Sequence, residues 1–262
     1  PKTSSTNMQM NFYPFIKNVN YLGRRQGHGL DDNTELFKEF NIYIEGGELA
    51  IFSKERLEKL KTDFKKNLTK EINLISMENW AFPYQRNNQT NKIETVSQFE
   101  KLERLNKFSK DIEADFNFFV IHRKPIDGIV SLFMTSQNRI EKIYGHEYLE
   151  FKKFLDKYEN KDNDYKKIKL FFDVYNLERI KKAFSGSKLK IFEYEDINKN
   201  PKKFIENFFK YLEMDTDLSL IENITKKTGV SPRKNGLYFV KKPNLLFIFL
   251  KKLMPQFIKK RF

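Results

Sequence analysis

The sequence contains no cysteine among its 262 residues. A disulfide framework, a thiolate metal site and a cysteine nucleophile are thereby excluded, and the composition fits a reducing compartment. Glycine (10) and proline (8) are scarce, so this is no collagen-like or Gly/Pro-rich low-complexity chain. Long apolar runs are lacking too. The longest, Leu245 to Leu250, falls far short of the roughly 20 residues that a spanning helix needs. Aromatic residues are abundant: 27 Phe and 12 Tyr carry the aromatic share to 15%, although only 39% of residues are hydrophobic. Disordered chains are poor in such side chains. The length suits one compact domain with an elaboration and a sizeable buried core. Against 35 Asp+Glu stand 49 Lys+Arg, a formal net charge of +14. Such a field attracts nucleic acid, phosphorylated cofactors, acidic glycans or anionic lipid without choosing among them.

Four short apolar runs read as strands: Asn41–Ile44, Ile72–Ser76, Phe116–His122 and Leu189–Phe192. The last two are nearly continuous, as in a parallel strand covered on both faces. Helical periods fill the intervals at Lys54–Asn67, Pro125–Tyr144, Asp164–Phe184 and Pro201–Leu212, the last opening on Pro at a first-turn position. Residues 81–110 are polar and predict a long loop or a small helical insertion. The alternation predicts an α/β fold, a central, mainly parallel β-sheet flanked by helices, over residues 1–242. Ligands in such sheets bind beyond the carboxyl ends of strands, which directs attention to Met77–Trp80, Arg123–Ser131 and Glu193–Asp196.

Three constellations there carry chemistry. Pro1-Lys2-Thr3-Ser4-Ser5-Thr6 places small hydroxyl residues ahead of a helix, where exposed N–H groups and the helix dipole make an anion cradle. A frayed, capped terminus would look the same. Its spacing is not that of a Walker A loop. In the second, the buried run ends in His122-Arg123-Lys124-Pro125, with Asp127 and Ser131 on the helix that follows. Arg123 and Ser131 are able to grip one phosphate; a simple Arg123–Asp127 pair is the alternative. The third, Phe192-Glu193-Tyr194-Glu195-Asp196 with Asn200-Pro201, reads best as carboxylates that hold a loop and cap a helix.

In this order the three segments resemble the sulfotransferases that use 3′-phosphoadenosine 5′-phosphosulfate (PAPS). Pro1–Thr6 is similar to that family's 5′-phosphosulfate loop, PKTGTT or PKTGST, with Ser4 where the family often has Gly. Arg123-Lys124-Pro125-Ile126-Asp127 with Ser131 resembles its 3′-phosphate motif, and Phe192–Asp196 with Asn200-Pro201 its YEDL…NP segment. The resemblance spans about residues 1 to 235. It implies a P-loop NTPase-like fold whose first strand precedes the loop and so lies ahead of Pro1. It also implies PAPS as sulfuryl donor and no metal. Lys2 would stabilise the leaving phosphate oxygen, Thr3, Ser4, Ser5 and Thr6 would bind the 5′-phosphate, and Arg123 and Ser131 the 3′-phosphate. The partial match Arg233-Lys234-Asn235-Gly236 adds Arg233 and Lys234 as a closing loop over the nucleotide.

The transfer needs a general base for the acceptor hydroxyl. Glu78 is the first candidate, because the family's catalytic His or Glu follows a strand between the two phosphate motifs. His28, flanked by glycines, is its rival, and Glu45 before Gly46-Gly47 a third. Trp80 would stack on a sugar ring, making the expected acceptor a glycan or glycolipid; core packing is the plainer role. Two other classes stay open: a nucleotide kinase or NTPase with a degenerate P-loop, and a basic nucleic-acid or membrane-surface module. The aromatics follow core-like periods, so no nucleic-acid partner is expected. The tail, 243–262, predicts a basic amphipathic helix that lies on an anionic membrane, docks on the domain or contacts a second copy. The expected location is cytoplasmic, with the membrane surface as an option for the tail.

Overall fold

The computed structural model describes residues 7–23, 34–46, 51–76, 80, 82–86, 93–160, 165–225, 233–234 and 237–238. The chain forms two units, Pro1–Gly229 and Val230–Phe262. In the first unit an opening helical stretch, Met8–Phe12 and Tyr13–Phe15, leads into β1 (Val19–Gly23). There follow α1 (Thr34–Glu45), α2 (Lys54–Lys66), β2 (Ile72–Ser76), β3 (Tyr84–Arg86), β4 (Ile93–Thr95), α3 (Gln98–Asp111) and β5 (Asn117–His122). Then come α4 (Pro125–Tyr144), α5 (Phe151–Glu159), α6 (Tyr165–Asp173), α7 (Leu177–Ala183), β6 (Lys188–Glu193), α8 (Tyr194–Lys199), α9 (Pro201–Tyr211) and α10 (Ile221–Thr225). In the second unit β7 (Arg233–Lys234) pairs antiparallel with β8 (Leu237–Tyr238).

The fold is α/β, and its principal strands are parallel. β1 pairs with β2 from Val19↔Ile72 to Gly23↔Ser76. β5 pairs with β6 from Asn117↔Lys188 to His122↔Glu193. β3 and β4 make a short antiparallel hairpin. Among the described residues each sheet holds two strands, so the single central sheet expected from the sequence is not seen as one ladder.

Strands of a parallel ladder pack apolar residues on both faces, and the same two clusters take residues from both ladders, although Lys188, Lys190 and Glu193 of β6 are exposed. One holds Met8, Phe12 and Tyr13 with Phe204, Phe208 and Phe209 of α9. Against it pack Tyr21 of β1, Leu74 of β2, Phe119 of β5 and Phe192 of β6. The other joins Phe40, Phe64, Phe108 and Phe184 from α1, α2, α3 and the turn after α7. It takes Leu22, Ile75, Phe118 and Leu189 from the same four strands. A third cluster, around Phe133, Phe154 and Phe171 of α4 to α6, also takes in Phe82 and Tyr84 at the hairpin and Val174 and Tyr175. Aromatic rings interlock edge-on through all three, as Phe119 with Phe208 at 5.3 Å and Phe154 with Phe171 at 5.2 Å. Tilted and edge-on pairs suit the ring quadrupole. No described helix is long and apolar enough to cross a membrane.

Local capping matches residue type. Ser53 Oγ accepts from Arg56 N at 3.2 Å and Ser97 Oγ from Phe99 N at 3.3 Å at the starts of α2 and α3. Pro125 and Pro201 occupy first-turn positions. Three expectations need correction. Asn41–Ile44 is the end of α1, because Phe37, Phe40 and Ile44 recur three and four apart and bury that face. A run of four apolar-rich residues cannot tell strand from helix. Asp164–Phe184 is two helices, since a turn at Val174–Tyr175 intervenes and Asn176 Oδ1 caps α7 by accepting from Arg179 N. The described part of residues 81–110 holds the β3–β4 hairpin and most of α3, so of the loop and the helical insertion expected there the helix is present and the hairpin is added.

The hairpin is pinned by a buried cation. Lys101 of α3 is 0% exposed, and its Nζ donates to the carbonyls of Phe82 at 3.0 Å and Tyr84 at 2.9 Å. Burial pushes its ammonium down to about 8 from an ordinary 10.5, and the Glu45 carboxylate opposes that shift. The unfolded chain therefore holds the extra proton between those two values, and this group's contribution to stability rises with pH across the window. Relative to Lys101→Met, the native protein should gain up to about 3 kcal/mol between pH 7.5 and 10.5. Urea melts of both proteins across that range check this, and parallel curves would refute it.

Candidate functional site

The carboxyl ends of β5 and β6 lie side by side, because the two strands run parallel and in register to His122↔Glu193. A buried apolar run forces β5 through the core. Directly after it the chain meets Arg123 and Lys124, and Pro125 starts α4. The Arg123 guanidinium carbon lies 4.9 Å above the Tyr194 ring. An aromatic face under a planar cation fixes its plane. Across the pair, Lys124 N donates to Glu195 Oε1 at 3.4 Å. The acidic segment thus holds the basic turn, in keeping with the loop-holding role read from the sequence.

His122 completes this end. It is buried, and its Nδ1 stands 3.6 Å from Glu193 Oε2, an electrostatic contact too long for a hydrogen bond. Its Nε2 is buried without a hydrogen-bond partner. The ring meets Tyr175 edge-on at 6.3 Å. Tyr175 in turn lies against the first turn of α4, where a β-carbon on Gly128 would sit 2.3 Å from the phenol ring. Glycine here is a matter of space: the helix start and the ring share one volume.

A cavity of about 660 Å³ opens beside these residues. Gln9, Ser76, Trp80, His122 and Tyr175 line it, together with Glu71, Asp115, Phe116 and Tyr211. Gln9 Nε2 donates to Ser76 Oγ at 3.0 Å, tying the opening helical stretch to the last residue of β2. Tyr211 donates its hydroxyl to the Phe118 carbonyl at 2.6 Å, and burial pushes that phenol up to about 12.

The expected site residues fare differently. Arg123 stands at the end of β5, half-buried. Ser131 is buried two turns into α4. Trp80 is a correction: it is 6% exposed, its Nε1 donates to Asn41 Oδ1 at 2.9 Å, and it packs edge-on to Phe40. That is a core position on the cavity wall, not an open face for a sugar. Glu45 ends α1 half-buried, with its charge acting on Lys101. Lys2, Thr3, Ser4, Ser5, Thr6, His28 and Glu78 lie outside the described residues, as do the side chains of Arg233 and Lys234. Among the described residues no group of three or more His, Asp or Glu is placed to hold a metal ion.

Gln9, His122 and Tyr175 were not anticipated. His122 was legible as the residue just before Arg123, but the apolar run absorbed it. Tyr175 was hidden by the reading of Asp164–Phe184 as one helix. Comparison with known protein families, curated proteins and solved structures finds no match.

Gly128→Ala tests the packing beneath this site. The methyl gains helix propensity of up to about 1 kcal/mol but collides with a buried ring. We expect a net loss of about 1–3 kcal/mol, and partial recovery when Tyr175→Leu is added. Denaturant melts decide; a stabilised Gly128→Ala would contradict the packing.

Proposed function

We propose that the protein is a sulfotransferase that moves a sulfuryl group from PAPS to a hydroxyl or amine of an acceptor. The observation that carries this reading is the joint at the end of β5. There a strand packed between the two aromatic clusters passes straight into Arg123, the guanidinium is braced on Tyr194, and the Pro125 helix begins beside the parallel β6 and its acidic turn. A braced, planar cation at the carboxyl end of a parallel strand suits a phosphate. The +14 net charge favours so anionic a donor.

In this reading PAPS supplies the sulfuryl group, and the chain supplies position and charge. Arg123 holds the 3′-phosphate, which distinguishes PAPS from ordinary adenylates. Ser131 joins it only where that phosphate enters the fold beside α4, because its hydroxyl is buried. Thr3, Ser4, Ser5 and Thr6 hold the 5′-phosphate, and Lys2 offsets the charge that builds on the leaving oxygen. Gln9, three residues past this loop in sequence, is bonded to Ser76 at the end of β2. Glu78 takes the acceptor proton, with His28 as alternate. Since Trp80 belongs to the core, a glycan or glycolipid acceptor rests on the basic charge alone. Arg233 and Lys234 as a nucleotide cover, and a membrane contact through 243–262, belong to the same proposal.

Thermal unfolding with 3′-phosphoadenosine 5′-phosphate, ATP and AMP tests the reading, since a ligand of the native state raises the apparent midpoint. The 3′-phosphorylated nucleotide should raise it most. Arg123→Ala should weaken its binding about 10- to 100-fold, as loss of a charged phosphate contact does. Lys2→Ala should slow transfer from sulfur-labelled PAPS more than it weakens binding. Equal shifts by all three nucleotides, unaffected by Arg123→Ala, would sink the proposal.

A further inference from the structure

We infer that His122 is a proton-linked positioning residue of the Arg123 anion grip: an anion seated at Arg123 binds more tightly when the imidazole carries its second proton. The inference rests on the reading of Arg123 as an anion site and not on the transfer that follows. His122 and Glu193 are register partners at the carboxyl ends of β5 and β6. Arg123 and Tyr194, the next residue of each segment, meet in turn, the guanidinium over the ring. The imidazole therefore stands one residue behind the grip, about 8 Å from it.

The ring's surroundings are those of a group free to change charge rather than of a bonded core residue. A neutral imidazole donates from one nitrogen and accepts at the other, and neither bond is made here. Nδ1 stands 3.6 Å from Glu193 Oε2, beyond hydrogen-bond reach. Nε2 is buried with no partner among the described residues. Packing holds the ring instead: Tyr175 meets it edge-on at 6.3 Å, and Tyr175 is itself lodged against Gly128. Gaining a proton costs such a ring no existing hydrogen bond, and it sets a charge opposite Glu193.

The neighbouring charges decide what that proton does. Glu193 faces the ring from β6. Glu195 of α8 is engaged by Lys124 N, and Asp127 lies in the first turn of α4. From the turn after α6 comes Tyr175, and two residues before it Asp173, whose carboxylate is taken by Lys169 and Arg179. Glu193 attracts an imidazolium, while Arg123 and Lys124 repel it. An anion on Arg123 cancels that repulsion, so its arrival draws a proton from solvent onto His122. At about 8 Å and an effective dielectric constant near 20, the coupling changes either affinity by about tenfold or more. It is reciprocal: the proton tightens the anion by the factor with which the anion tightens the proton. Anion binding at this joint therefore strengthens as pH falls through the range in which histidine titrates.

Proton NMR on the whole chain tests this. There are three histidines, and His146, exposed and 3.0 Å from Glu141, serves as internal control. The His122 ring signals, identified by their loss in His122→Gln, are followed from about pH 5 to about pH 9, without and with saturating 3′-phosphoadenosine 5′-phosphate. The His122 midpoint should move up by about one pH unit when the nucleotide is bound, a tenfold change, while His146 stays in place. Over the same range the ratio of the His122→Gln to the wild-type dissociation constant should rise about tenfold toward acid. The nucleotide's own phosphates titrate alike in both measurements and cancel in that ratio. Should His122→Gln not fold, His28→Gln and His146→Gln assign the signals by elimination, and the midpoint alone decides. A fixed His122 midpoint, with binding that Arg123→Ala still weakens, would overturn the proton link and leave the grip standing. An equal move of His146 would overturn the link as a general field effect. No nucleotide binding at any pH would overturn the grip, and this inference with it.

Discussion

Parallel β-strands pack apolar side chains on both faces, and much of this structure answers that constraint. Two such ladders, β1–β2 and β5–β6, lie between Phe-rich layers, with Lys188, Lys190 and Glu193 of β6 exposed. The abundance of phenylalanine follows from the geometry. A chain with few aliphatic residues must bury area with large rings, and rings set edge-on fill space between helices and pleats without straining rotamers. Helices α1 to α3 and α7 serve one face, while the opening stretch and α9 serve the other.

Burial of the strands has a chemical consequence at their ends. The backbone emerges from the core at His122 and Glu193 together, so residues next in sequence are delivered to one place: Arg123 over Tyr194, and Lys124 against Glu195. A cation at such a position is held by packing, and the proposed anion grip rests on this. The packing extends inward through His122 and Tyr175 to Gly128 on α4. The electrostatics of the fold and its tight helix start are thereby one arrangement.

Much of this was legible from pattern. Ile72–Ser76 and Pro125–Tyr144 match their sequence-based bounds; Phe116–His122, Lys54–Asn67 and Pro201–Leu212 differ from the structure by a residue at one end, and Leu189–Phe192 by a residue at each end. Those segments carry a strong period or a proline start. Asn41–Ile44 misled because four residues are too few to separate periods of 2 and 3.6. β1 went unread because Val19–Gly23 includes Asn20 among its apolar residues, and Asn20 is held by Asn73 and the Asn67 carbonyl only once β2 lies beside it. Lys101 was invisible as a core residue: nothing nearby in sequence announces that two carbonyls, 17 and 19 residues away, will receive its ammonium.

The sequence by itself determined the α/β alternation, the caps, and the placing of Arg123 at the mouth of a buried strand, because these depend on neighbours within a few turns of chain. Only the tertiary structure decided that Trp80 is a wall of the core, that His122 faces Glu193 and Tyr175, and that two ladders share their covering layers. Those outcomes rest on contacts between segments far apart in the chain, where burial and hydrogen-bond satisfaction are settled by which surfaces meet.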